Sequence, residues 1–249
     1  MSFPFNEIEF KRNAVQPVEC IKAGWELIKT QYWLFVGMTF VAMFVGGLVP
    51  FGILLGPLYC GLYLALFKIR RGEPIEFGTL FKGFDYFGDA AIAALLHALP
   101  MFLIIAPAYI LYIVGMFTMM GTSRNGQPDP AAALGFFGIF GVIWIIIVVL
   151  LIVLTVVFTF AYPLIVDRRL SGLNAVKLSI KASLANFWRL LALMFLVGLL
   201  SSLGVLLCIV GVYLIIPISF GAIAVAYEQV FGLNEQSQPA VPPPPPSFV

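Results

Sequence analysis

The sequence predicts an all-α integral membrane protein, a bundle of six transmembrane helices built from three parallel repeats of an amphipathic helix plus a helical hairpin. Three observations predict it. Hydrophobic residues make up 61% of the chain and charged residues 10%, against about half and about a quarter in soluble domains. Four stretches, 30–67, 90–123, 130–166 and 190–227, hold no Asp, Glu, Lys or Arg. Of the 14 basic residues, 13 fall in the segments that six crossings would leave on one side. In lipid every backbone polar group must bond internally, which leaves helices or closed barrels, and apolar runs without alternation select helices.

The spans follow in order. A crossing helix needs about 20 apolar residues. The first run breaks at Gly46-Gly47 and Pro50-Phe51-Gly52 and reads as a hairpin, with spans near 32–49 and 51–67. The second holds Pro100 and Pro107 and reads as one kinked helix over 90–118. The third has no Gly or Pro from Val142 to Tyr162 and reads as one long helix over 134–165. The last turns near Gly204 and Gly211, giving spans near 190–207 and 211–227. Segments 1–31, 68–89, 167–189 and 228–249 then share a face, and only Arg124, in the loop 122–130, lies opposite. Lys/Arg excess marks the cytoplasmic side, so both termini are expected there, in a cell inner membrane. Residues 1–13 form a cytoplasmic N-terminal segment, 14–232 the membrane domain, and 233–249 a disordered proline-rich cytoplasmic tail. The first thirty residues hold no apolar core run of a signal peptide, so the spans are expected to direct insertion.

The repeat rests on three segments, 21–41, 81–101 and 180–200, each opening on an apolar residue and a lysine (Lys22, Lys82, Lys181). Residues 56–72 also align over 216–232 without a gap, matching Pro57 to Pro217, Gly61 to Gly221 and Gly72 to Gly232. Helical spacing gives each unit an apolar stripe: Val18, Ile21, Trp25, Ile28 and Tyr32; Phe77, Leu80, Phe84 and Phe87; Leu173, Val176, Ile180, Leu184 and Phe187. The third is capped at Ser171 or Asn174. Such helices are expected to lie in the headgroup layer.

The segments FKIRRGEPIEFGTLFKGFDYF (67–87), YPLIVDRRLSGLNAVKLSIKAS (162–183) and PISFGAIAVAYEQVFG (217–232) resemble a bacterial family of integral membrane proteins, the YciC-like proteins and the membrane region fused to some glycerophosphodiester phosphodiesterases. The resemblance implies a six-helix inner-membrane protein. It supplies neither a reaction nor catalytic residues, and with no phosphodiesterase domain in this sequence it does not argue for hydrolysis.

Chemistry-bearing residues are few. His97 is the one histidine, within the third span, where an ionisable group is a functional hypothesis; a histidine bonded to a neighbouring helix is the plainer reading. Asp85 and Asp89, four apart, are expected on one helical face where the third span begins, as a cation or substrate site or as a solvated face. Arg70, Arg71, Arg168 and Arg169 follow two spans at equivalent places and are expected to meet anionic phospholipid headgroups. Gly52, Gly56, Gly135, Gly138 and Gly141 are expected to pack helices closely, within the bundle or against another membrane protein. Cys20, Cys60 and Cys208 have no metal spacing and read as packing residues. No phosphate-binding, zinc-hydrolase or serine-hydrolase motif is present. No basic block suggests nucleic acid, and no metal or cofactor is expected. The expected function is a non-enzymatic accessory or lipid-organising role, with a transporter or channel as the alternative and a lipid-acting enzyme third.

Overall fold

The structure, a computed structural model, describes residues 8–49, 52–121, 130–206 and 208–233. The turn at Pro50-Phe51, Arg124 and most of its loop, and the proline-rich tail from 234 on lie outside the described residues. Every regular element among the described residues is helical: α1 (Pro17–Ile28), α2 (Tyr32–Gly47), α3 (Leu55–Arg70), a 3-10 helix (Phe77–Tyr86), α4 (Phe87–Gly121), α5 (Pro130–Phe158), α6 (Ala161–Arg168), α7 (Gly172–Ala185), α8 (Phe187–Leu206) and α9 (Cys208–Phe231). Five stretches, Pro17–Gly47, Phe77–Gly121, Ala133–Arg168, Phe187–Gly204 and Gly211–Phe231, are long and apolar enough to cross a membrane. That is consistent with a multi-pass membrane protein. The sixth expected span, 51–67, is α3, whose 16 residues give about 24 Å of helix, short of the thickness of a typical hydrocarbon core.

α4 runs through Pro100 and Pro107 as a single helix, in keeping with the one helix expected there. The third apolar run does not. It breaks at Thr159-Phe160, between α5 and α6. Pro163 is the cause: it has no N–H for the Thr159 carbonyl and its ring crowds that same group. Ser179 repairs the gap from α7. Its Oγ donates to the Val157 carbonyl at 2.7 Å and accepts from the Phe160 N–H at 3.1 Å.

Each short amphipathic segment divides its apolar stripe between a packed and an outward side: in the first, Ile28 is buried while Val18 and Trp25 are exposed. In the second, the 3-10 helix buries Thr79, Leu80 and Gly83, while Phe77 and Phe87 of the expected stripe are exposed. A three-residue turn brings Leu80 and Gly83 to one side, and Gly83 sits so close to Pro57 and Gly61 of α3 that a Cβ there would overlap the backbone. In the third, α7 buries Val176 of the stripe and Leu178 together with the small Ala175, Ser179, Ala182 and Ser183, and exposes Leu173 and Leu184. Small residues face inward because close helix approach needs them; large apolar residues outside suit an apolar solvent. Gly24 of α1 meets Gly221 of α9 in the same way that Gly83 meets Gly61. The Gly52/Gly56 pair is not a helix face, since Gly52 lies in the turn at φ +63° and only Gly56 packs, on Ala90. Gly135, Gly138 and Gly141 meet nothing within 4 Å.

The N-terminal segment is tied down. Buried Asn186, between α7 and α8, donates to the Lys11 and Ala182 carbonyls at 3.0 and 2.9 Å and accepts from the Ala14 N–H at 2.9 Å. Lys11 N–H donates to the Val230 carbonyl of α9 at 2.8 Å.

Candidate functional site

The ends of α3, α6 and α9 meet on one face, which we call the basic face. Each helix ends on a residue of left-handed backbone: Gly72 at φ +74°, Arg169 at +49° and Gly232 at +68°. Glycine takes that conformation freely at a helix C-terminus; a residue with a Cβ pays about 1–2 kcal/mol.

Asp167, the penultimate residue of α6, is the hub. It is 3% exposed. Its Oδ1 accepts from Arg71 Nη2 at 3.2 Å and its Oδ2 from the Tyr227 hydroxyl at 2.8 Å. Arg168 Nε stands 3.3 Å from Oδ2 as an ion pair without hydrogen-bond alignment, while Arg168 Nη2 donates to the Phe231 and Gly232 carbonyls at the end of α9. One carboxylate thus joins three helix ends. Beside it, Arg70 pairs with Glu228 at 2.8 Å and Lys68 with Glu73 at 3.6 Å.

Against Asp167 lies a basin of about 360 Å3, with Arg71, Glu73, Tyr86 and Arg169 on its walls and Leu64, Phe67 and Val166 below. Of the four arginines expected to meet headgroups, Arg70, Arg71 and Arg168 are engaged by protein groups. Arg169 is exposed and makes no ion pair or hydrogen bond among the described residues. Five cations (Lys68, Arg70, Arg71, Arg168, Arg169) face three carboxylates (Glu73, Asp167, Glu228) on this rim, so it keeps a positive excess.

Asp85 and Asp89 do not form a pair. Asp85 is exposed in the 3-10 helix, Asp89 half-buried in the first turn of α4. Asp89 Oδ1 accepts from the Gly172 N–H at 2.9 Å, at the first residue of α7. It supplies from another helix the cap expected of Ser171, which makes no side-chain cap. No acid–base pair arises there.

His97 lies deeper in α4. Its ring stacks on Phe158 with centroids 4.7 Å apart, and its Nε2 is buried without a hydrogen-bond partner. It borders a cavity of about 580 Å3 between α3, α4 and α6 that Tyr59 and Tyr162 also line. The two tyrosine rings meet edge to face at 5.4 Å. Among the described residues no three or more His, Cys, Asp or Glu side chains are grouped to hold a metal ion.

Sequence reasoning missed Tyr59, Tyr162, Tyr227 and Glu228 as site residues. Glu228 carried a signal, being the first acid after the last apolar run; the tyrosines carried none, since their partners come from other helices. No family model, curated protein or solved structure matches the chain.

Proposed function

We propose that the chain is a six-span inner-membrane protein with both termini in the cytoplasm, built from three parallel units. It holds anionic phospholipid headgroups on its cytoplasmic face and acts as a non-enzymatic accessory or envelope-organising protein. The unit reading is supported by the three left-handed helix ends and by order of packing. The first amphipathic segment lies on the last helix of the third unit, the second on the last helix of the first, and the third on the last helices of the second. α3, with the turn residues before it, serves as the sixth span through the charge-free residues 52–67.

The observation that carries the lipid reading is Arg169. It stands in a backbone conformation that glycine would adopt more cheaply, on the wall of a basin that Arg71 and apolar residues also line, on a face with five cations to three carboxylates. Strain kept at such a place points to a use for the side chain. A phosphate at the basin with acyl chains along the helices satisfies both parts.

The test is Arg169→Gly, which keeps the backbone and removes only the cation. Phosphatidylglycerol retained relative to phosphatidylethanolamine after gentle detergent purification should fall about fivefold, the worth of about 1 kcal/mol for one basic residue at an anionic surface. Arg70→Gln, removing a cation already paired with Glu228, should change the ratio less. An unchanged ratio in Arg169→Gly would refute the reading. A second reading, a transporter or channel for a small or lipidic substrate, is favoured by the His97 cavity.

A further inference from the structure

We infer that the cavity between α3, α4 and α6 binds an uncharged long-chain lipophile by its hydroxyl group, which meets His97, Tyr59 and Tyr162. The site is separate from the basin and does not depend on what the basin holds.

Depth comes first. His97 lies ten residues into α4 and Tyr59 eleven residues before Arg70, each about 15 Å along its helix. That is near the middle of a hydrocarbon core about 30 Å thick. Water is absent at that depth, so a polar group must find its partner in protein or ligand. The buried His97 Nε2 has none. The Tyr59 hydroxyl has only a long contact of 3.9 Å to Met43 Sδ, and Tyr162 has ring contact but no hydrogen bond among the described residues. Thr39 and Ser183 also leave a buried oxygen unpartnered, but neither lines this cavity. Three polar side chains from three helices line one cavity, none satisfying another, and call for a polar ligand group.

The lining then fixes its chemistry. No Asp, Glu, Lys or Arg borders the cavity, and an unpaired charge at that depth is costly. An ionised ligand is therefore excluded, and so is a phosphate head. Leu55, Met101 and Phe102 complete the walls and suit a hydrocarbon body. A hydroxyl matches the polar side because it accepts from a tyrosine and donates to an imidazole nitrogen free of a proton. The His97 ring lines the cavity and lies flat against Phe158, the planes 11° apart. The volume of about 580 Å3 lies within the range of about 300–1,000 Å3 usual for ligand sites.

The test uses the full chain in native membranes and two photoaffinity probes: a long-chain primary alcohol bearing a diazirine and an alkyne, and its methyl ether. The ether accepts a hydrogen bond but cannot donate one. In the wild type the alcohol should label the chain about fivefold more than the ether, the worth of one net hydrogen bond, with adducts on α3, α4 and α6. His97→Phe, which keeps a ring against Phe158, should bring alcohol labelling down to the ether level and leave ether labelling unchanged. Equal labelling by both probes in the wild type overturns the proposal, as does an alcohol excess that survives His97→Phe. If the variant loses both probes, competition in the wild type decides: unlabelled alcohol must displace the alcohol probe about fivefold better than unlabelled ether, and equal displacement rejects the site.

Discussion

The Asp167 cluster, at the ends of α3, α6 and α9, and the His97 cavity, between α3, α4 and α6, share two helices, and the carboxylate of the one and the imidazole of the other differ in their bonding. At Asp167 both carboxylate oxygens are bound, by Arg71 and Tyr227. At His97 the buried nitrogen is bound by nothing. A carboxylate bound at both oxygens holds helix ends in place; a nitrogen without a partner has capacity left for a ligand. The basin joins the two kinds, since Arg71 is spent on Asp167 while Arg169 is not.

The largest effect that would break this contrast is on Asp167. Asp167→Ala strands Arg71, whose side chain is 13% exposed, and the buried Tyr227 hydroxyl; removing one member of such a buried pair costs about 3–5 kcal/mol. Thermal melting in detergent should show a lowered midpoint, and an unchanged one would mean that the cluster is not structural. Next is Ser179→Ala. It removes both bonds at the Thr159-Phe160 break and should cost about 1–3 kcal/mol, because it leaves buried backbone groups unpaired. Gly83→Ala belongs in the same range: its Cβ would overlap the α3 backbone, and overpacking costs about 1–3 kcal/mol. Gly78→Ala on the same 3-10 helix, with nothing within 4 Å, is its control and should be neutral. Asp89→Ala should cost about 1 kcal/mol as a lost helix cap. Smallest and of opposite sign is Arg169→Gly. Relief of the left-handed backbone should raise stability by about 1 kcal/mol while lipid retention falls, so a variant that loses both would separate Arg169 from the role given to it.

The helical membrane class was legible because it rests on long charge-free runs, and local charge and apolarity need no knowledge of neighbours. α4 was legible for the same reason. The break at Thr159 was not, although Pro163 was in plain view: a proline disturbs the carbonyl four residues before it, so a clean run up to Tyr162 was no assurance of continuity. The packed side of α7 was not legible, because Val176 of its apolar stripe is buried while Leu173 and Leu184 are exposed, and only the neighbouring helices decide between them. At the candidate site, Arg70, Arg71, Arg168 and Arg169 were found by their position after spans, but only contacts reveal which of them is engaged. Asp167 and Arg71 are 96 residues apart, and nothing in their local sequence joins them.

The closure of α1 on α9 through Gly24 and Gly221, with Lys11 bonded to Val230, has a consequence for biogenesis. The opening helix lacks its closest seat, on α9, until the closing one has left the ribosome. During synthesis the early helices must stand in the insertion machinery or against lipid with their small-residue seams uncovered, and the bundle locks only when its last helix arrives. Nascent chains stalled before residue 208 should therefore be the species that membrane quality-control proteases remove first.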